Sequence, residues 1–265
     1  MGIKTSMNSN IQRFKEKVVI ITGAAGGIGS EIARSFISEG AHTVLVDSSE
    51  KLLDIFHSKD DQFPDNHLVI KADLTNENDI INIVETTEKR WGKIDVLVNS
   101  AGVNIRKKID QYTDEEFDWI YNVNVKSIFK LSNYVSNIMK RARYGKIINF
   151  SSIQGITCWN GDGAFSLAPY CASKSAVIAL TRAFALDLAK YQINVNAICP
   201  AFVNTELVRA VKVDEKLYQD IIKRTPLGRF AEPEELVEPV LFLASDGSSF
   251  ITGHSLLVDG GWTIE

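Results

Sequence analysis

Seven short runs of apolar, mostly β-branched residues punctuate the chain: Val18 to Thr22, His42 to Asp47, His67 to Ala72, Ile94 to Asn99, Lys146 to Phe150, Ile193 to Cys199 and Ser255 to Val258. They are apolar throughout instead of alternating with polar residues, the pattern strands need when helices cover both faces of a parallel sheet. Between them, Gly27 to Glu39, Asn76 to Arg90, Thr113 to Met139, Pro169 to Tyr191 and Pro233 to Ala244 carry apolar residues at helical spacing. Thr113-Asp114-Glu115-Glu116 reads as a capping box that starts one of these helices. The pattern predicts an α/β protein with a doubly wound, seven-stranded parallel sheet and helices on both faces. At 265 residues, 45% of them hydrophobic, the chain can bury one large core. No repeat, low-complexity tract or Pro/Ser-rich linker divides it, so residues 15–265 are expected to form a single domain.

Charge and cysteine usage narrow the function. A formal net charge of -4 argues against a polyanion-binding surface, which needs basic residues to neutralise phosphates. Cys158, Cys171 and Cys199 are odd in number and lack metal-ligand spacing, which fits reduced thiols acting as small buried apolar residues in a cytoplasmic protein. His42, His57, His67 and His254 form no metal set, so no metal is expected. No apolar run approaches the ~18 residues that span a bilayer. The polar opening, residues 1–14, lacks the h-region of a signal peptide and is expected to be a disordered tail. Its first six residues fit the loose N-acylation pattern, which a short segment meets easily by chance.

Thr22-Gly23-Ala24-Ala25-Gly26-Gly27-Ile28-Gly29 closes the first strand and opens a helix. Glycine accepts φ > 0 and lacks a Cβ, so such a turn lets backbone N–H groups approach phosphate oxygens at the positive end of the helix dipole. Gly23, Gly27 and Gly29, with Ile28 between them, are therefore candidates for holding a dinucleotide pyrophosphate. A P-loop would need Lys followed by Ser or Thr after the last glycine, and Ser30-Glu31 stands there instead. Asp47 ends the second strand, where a carboxylate can accept from the adenosine ribose hydroxyls and repel a 2′-phosphate; neither Ala24, Ala25 nor Ser48 supplies a compensating cation, so NAD is favoured over NADP. An Asx turn into Ser48-Ser49 is the competing role for Asp47.

Tyr170 precedes Lys174 by four residues, which places both on one helix face. Using a phenol as a base near pH 7 needs a shift of about three pKa units, about 4 kcal/mol. One cation at about 4 Å supplies a similar amount at an effective dielectric of ~20. The pair is the acid–base candidate, and with the glycine turn it points to hydride transfer.

Together these residues resemble the short-chain dehydrogenase/reductase family from Lys17 to Trp262. The glycine turn is similar to its T-G-x-x-x-G-x-G, Asn99-Ser100-Ala101-Gly102 to its N-N-A-G, and Tyr170-Cys171-Ala172-Ser173-Lys174 to its Y-x-x-x-K; Asn194 to Pro200 and Ile251 to Trp262 continue the match in order. The resemblance implies a Rossmann fold and a secondary alcohol/ketone reaction. It implies that Tyr170 exchanges the proton, Ser152 bonds the substrate oxygen, Lys174 also binds the nicotinamide ribose, and Asn124 kinks its helix and holds a relay water. Asp73 and Leu74 would line the adenine, Ala101 and Gly102 the cofactor with Asn99 at the strand end, and Pro200, Val203 and Thr205 the nicotinamide side. A homotetramer is the common family assembly, and small residues on several faces of the Pro169 helix would allow close packing with a partner.

Three departures from the family pattern bear on the cleft. Ser100 and Ala201 are small replacements for an asparagine and a glycine. The stretch from Ser152 to Tyr170 is longer than usual, with Trp159-Asn160-Gly161-Asp162-Gly163 in its middle, and it leaves Ser151 and Ser166 as rivals to Ser152. Substrate contacts are expected from Arg106, Gln154 and Trp159. Arg106 lies in Asn104-Ile105-Arg106-Lys107-Lys108, similar to gluconate 5-dehydrogenase and sugar-acid dehydrogenase members, whose substrates carry carboxylates. The expectation is an NAD-dependent oxidoreductase of a polyol, sugar or sugar acid. A 3-oxoacyl carrier-protein reductase and an NAD-binding regulator without turnover are the alternatives.

Overall fold

The structure, a computed structural model, describes residues 12–56, 66–161 and 163–264. All seven expected strands form: β1 (Val18–Thr22), β2 (His42–Asp47), β3 (His67–Lys71), β4 (Val96–Asn99), β5 (Gly145–Phe150), β6 (Ile193–Pro200) and β7 (Ser255–Val258). They pair in parallel in the order β3-β2-β1-β4-β5-β6-β7. The winding direction reverses between β1 and β4, and a crevice opens at the carboxyl ends of the strands where the two halves part. The central strands β1, β4 and β5 are buried along their whole length, as an apolar run without alternation requires.

Helices α1 (Gly27–Ser38) and α9 (Val237–Ala244) cover one face, with Ile32, Phe36, Val240 and Leu241 in its core. Helices α3 (Glu77–Trp91), α5 (Ser127–Ala142) and α6 (Ala168–Leu188) cover the other, through Ile80, Ile83, Leu131, Val135 and Leu188. The Thr113 capping box is present at the start of α4 (Asp114–Tyr121), where Thr113 Oγ1 accepts from Glu116 N. Glu116 returns a bond to Thr113 N.

Three expectations are corrected. Arg13 and Phe14 do not belong to a loose tail: Phe14 is 2% exposed, its ring 4.7 Å from that of Phe36, and Arg13 pairs with Glu39 and Glu238. Residues 1–11, with the acylation pattern, lie outside the described residues, as does His57. The helix expected from Thr113 to Met139 is broken into α4 and α5 by a π turn over Asn122–Lys126, where Ser127 N bonds Asn122 O. The apolar period continues on both sides of the turn, so one extra residue in the winding leaves little trace in sequence. Cys158 is exposed, while Cys171 and Cys199 are buried. The sequence pattern also passed over α2 (Lys51–Phe56), α7 (Arg209–Lys212) and α8 (Glu215–Arg224). No described helix is long and apolar enough to cross a membrane.

Candidate active site

The glycine turn is shaped by backbone contact. A Cβ on Gly29 would stand 2.1 Å from Gly23 O, and one on Gly23 (φ +69) would stand 2.8 Å from Ala101 N. Thr22 Oγ1 accepts from Ser100 N and Ala101 N at 3.1 and 3.2 Å, which ties the loop after β4 to the end of β1. The N-cap of α1 is Gly26, whose lack of a side chain leaves the first-turn N–H groups open to an anion. Asp47 Oδ2 accepts from Ala25 N at 3.0 Å and Oδ1 from Ser49 N at 2.9 Å, so the carboxylate makes the Asx turn and also faces the crevice.

The crevice holds a cavity of about 480 Å³. Every residue expected at the cofactor lines it except Asn99, and Ser152 lines it too. Asn99 faces the sheet interior, where its Nδ2 donates to Asn149 Oδ1 (2.8 Å) and Ser132 Oγ (3.1 Å). The fit to a dinucleotide rests on these features: a glycine cradle that any Cβ would fill, an open helix N-terminus, and carboxylates at the end of β2 (Asp47) and after β3 (Asp73). Among the described residues, the side that carries Asp47, Ser48, Asp73 and Thr75 has no cation in the lining.

At the other end, β5 delivers Ser152 and α6 delivers Tyr170 and Lys174. Ser152 and Tyr170 both line this end of the cavity, with Ser152 placed to hydrogen-bond the phenol. The rivals are spent elsewhere: Ser151 Oγ donates to Lys174 O (2.8 Å), and Ser166 Oγ accepts from Ala168 N (3.1 Å). Lys174 is 3% exposed, donates from Nζ to Phe150 O (2.7 Å), and is lowered by burial to about 8. Burial pushes the Tyr170 phenol up to about 12, against the Ser152 bond and the charge of Arg106, which lower it.

Two contacts of this machinery go beyond the sequence pattern. The ammonium of Lys174 lies 5.6 Å from the Tyr170 ring centroid, and the charge of Arg106 also lowers the phenol. The Asn124 side chain is committed to the loop after Gly102: Oδ1 accepts from Val103 N (2.8 Å), and Nδ2 donates to Val103 O (2.9 Å) and Ser173 Oγ (3.1 Å). A Cβ on Gly102 would meet both Lys174 Nζ and Asn124 Oδ1, so this pinning keeps the loop against the ammonium.

The three expected substrate residues separate. Partly buried Arg106 lies within electrostatic reach of Tyr170 and Tyr112, donates from Nη1 to Leu207 O (3.0 Å), and keeps a buried Nε with no partner. None of the three lines the cavity; Gln154 Nε2 donates to Trp159 O (3.3 Å), and the indole sits in an aromatic cluster. Sequence reading missed Tyr112, whose Oη lies 2.5 Å from Ile105 O and 2.9 Å from Ser166 O, clamping the Arg106 loop to the long insertion. It also missed Trp119, Leu207 and Val208 in the cavity wall. No pattern marks these, because loop conformations bring them in.

The fold and site are those of a nicotinamide-dependent oxidoreductase. The family model described as enoyl-(acyl carrier protein) reductase matches residues 23–263, and the chain belongs to the short-chain dehydrogenase/reductase family. It is 37% identical over 252 residues to 3-oxoacyl-[acyl-carrier-protein] reductase of Thermotoga maritima, covering 95% of this chain and 100% of that protein. It is 36% identical over 250 residues to NAD-dependent glycerol dehydrogenase of Listeria innocua, covering 94% and 95%. Among solved structures, a gluconate 5-dehydrogenase from Burkholderia cenocepacia in complex with NADP and tartrate superposes with a TM-score of 0.87 at 33% identity, covering 97% and 98%.

Proposed function

We propose that the protein is an NAD-dependent dehydrogenase that interconverts a secondary alcohol and a ketone on a small polar substrate carrying a carboxylate, a sugar acid above all. The observation that carries this reading is Arg106: a guanidinium within electrostatic reach of the Tyr170 phenol that keeps Nε unpartnered and matches the planar fork of a carboxylate. Asn104 Oδ1, also buried without a partner in the same loop, is an acceptor for a substrate hydroxyl. The relative named for gluconate and the tartrate bound to it fit a carboxylate-bearing substrate, while the relative named for glycerol shares only the small polyol character.

Bound nicotinamide supplies the hydride acceptor; the chain supplies the rest. Ser152 Oγ holds the substrate oxygen, Tyr170 Oη takes its proton in the oxidative direction, and Lys174 Nζ sits where it can hold the ribose and return charge to the phenol. The relay water beside Asn124 belongs to the same proposal, since its Oδ1 retains one lone pair. Asp47 and the cation-free lining around it support NAD, although solved relatives carry NADP.

One screen tests this: wild type, Asp47→Ala and Arg106→Ala, with NAD and NADP, against polyols, sugar acids and an acyl thioester. Wild type is expected to prefer NAD at least tenfold, Asp47→Ala to erase the preference, and Arg106→Ala to lower kcat/KM on sugar acids about tenfold more than on neutral polyols. A matched loss on both substrates sinks the carboxylate reading. Faster acyl thioester reduction with NADPH would favour the carrier-protein reductase to which the chain is also similar. Tight NAD binding without turnover would favour a regulator.

Assembly as a homotetramer belongs to the same reading. Ser175, Ala179 and Ala183 form an exposed small-residue row along α6, flanked by Leu186 (82% exposed) and by Phe129 (49% exposed) on α5, a surface suited to a second copy. Light scattering is expected to give four times the chain mass, and a monomer would refute it. The three unpaired thiols fit work in the cytoplasm, where they stay reduced.

A further inference from the structure

We propose that Trp159 and Arg224 form a latch through which the long segment between Ser152 and Tyr170 holds the lid, residues 206–224, closed over the cavity. The start of the lid is cavity wall, since Glu206, Leu207 and Val208 line it. The lid then turns Val208, Val211 and Ile221 inward onto a third apolar cluster, separate from the two that flank the sheet. Trp159, 7% exposed, sits in that cluster. Its ring lies 5.4 Å from Trp262, 5.8 Å from Phe202 and 6.1 Å from Phe165, all near edge-on.

Arg224, the last residue of α8, closes the cluster from the solvent side. Its guanidinium carbon lies 5.8 Å from the Trp159 ring and 5.3 Å from the Trp262 ring, within cation–π reach of both. An indole offers a cation the strongest aromatic face, and the indole is retained here although its buried Nε1–H has no partner. The backbone at Gly161 (φ +64) is so close to Phe165 and to Leu217 of α8 that a Cβ would stand 2.8 and 3.1 Å from them. The inner end of the latch reaches the catalytic serine: Gln154 N donates to Ser152 Oγ (3.1 Å) while Gln154 Nε2 holds Trp159 O. The insertion therefore acts as a buttress behind the lid. Trp159 is a positioning residue and does not touch the substrate.

This inference rests on the cavity as the coenzyme site only for its affinity arm. The test is amide hydrogen exchange on full-length wild type, Arg224→Gln, Trp159→Ala and Trp159→Phe without nucleotide, followed by titration with NADH. Arg224→Gln and Trp159→Ala are expected to speed exchange across residues 206–224 at least fivefold while β1 and β4 keep wild-type protection. Both should raise the NADH dissociation constant and the coenzyme KM at least fivefold, leaving the pH limb of turnover in place, and Trp159→Phe should recover most of the loss. Lid exchange within twofold of wild type in Arg224→Gln overturns the latch, and that variant decides the matter if Trp159→Ala loosens the sheet as well. Wild type that fails to bind NADH would sink the coenzyme reading, with the exchange arm still deciding the latch.

Discussion

Tyr170→Phe is expected to lower kcat about 10³-fold, about 4 kcal/mol of transition-state stabilisation, while NADH affinity stays within twofold of wild type. The phenol hydroxyl is the group at this end of the cavity that can exchange a proton with a substrate oxygen held by Ser152, and phenylalanine removes it while keeping the ring. The sign of the pH dependence follows from what surrounds the group. Burial raises the phenol to about 12, so its reactive base form is scarce at neutral pH, and oxidation should accelerate as pH rises. Reduction uses the protonated phenol and should slow over the same range. The Ser152 bond and the Arg106 charge pull the phenol down, so Arg106→Ala should move the oxidative limb to higher pH and Tyr170→Phe should abolish it. Lys174, lowered to about 8 by burial, loses its charge well below the pH at which the phenol ionises. A pH-rate profile for each variant reads all of this, and full-speed turnover by Tyr170→Phe would remove the basis for the mechanism.

The parts of this site that sequence disclosed are those fixed by local chemistry. β-branched runs without alternation announce buried parallel strands, a glycine turn between strand and helix requires close backbone approach, and a four-residue spacing puts Tyr170 and Lys174 on one face. What sequence withheld depends on contacts between distant segments. Arg106, whose charge lowers the phenol, stands 64 positions upstream of Tyr170 (170 − 106), in a loop that Tyr112 clamps to Ser166. Trp159 and Gln154 looked like cleft residues because they follow the catalytic serine, yet the insertion turns them onto the lid cluster. Helix α8 escaped notice because its few inward residues, Leu217 and Ile221 among them, pack into a cluster drawn from distant segments, Trp159, Phe202, Phe230 and Trp262 among them. The π turn at Asn122–Lys126 falls at the kink that the resemblance implies for Asn124, while the apolar period alone does not show it, since a π turn changes the winding without changing composition.

The glycine turn gives the second large effect, and it separates two glycines that look equivalent in sequence. In Gly29→Ala the new methyl would stand 2.1 Å from Gly23 O and 2.8 Å from Gly23 C, atoms of a backbone that Thr22 and Ala101 hold from the far side. Relief requires the turn itself to move, which should cost about 1–3 kcal/mol of stability and displace the N–H groups aimed at the pyrophosphate. In Gly27→Ala the methyl meets Thr205 Cγ2 at 2.9 Å, the end of a side chain that can rotate or shift with the lid. Gly29→Ala is therefore expected to weaken NADH binding at least 30-fold and lower the melting temperature by several degrees, about 2–4 °C per kcal/mol at this size. Gly27→Ala should keep the wild-type melting temperature and lose less than fivefold in affinity. Fluorescence titration with NADH and thermal unfolding of the two variants make the comparison. Equal losses in both would mean that the backbone around Gly23 yields freely and that the turn is not the rigid phosphate cradle its geometry describes.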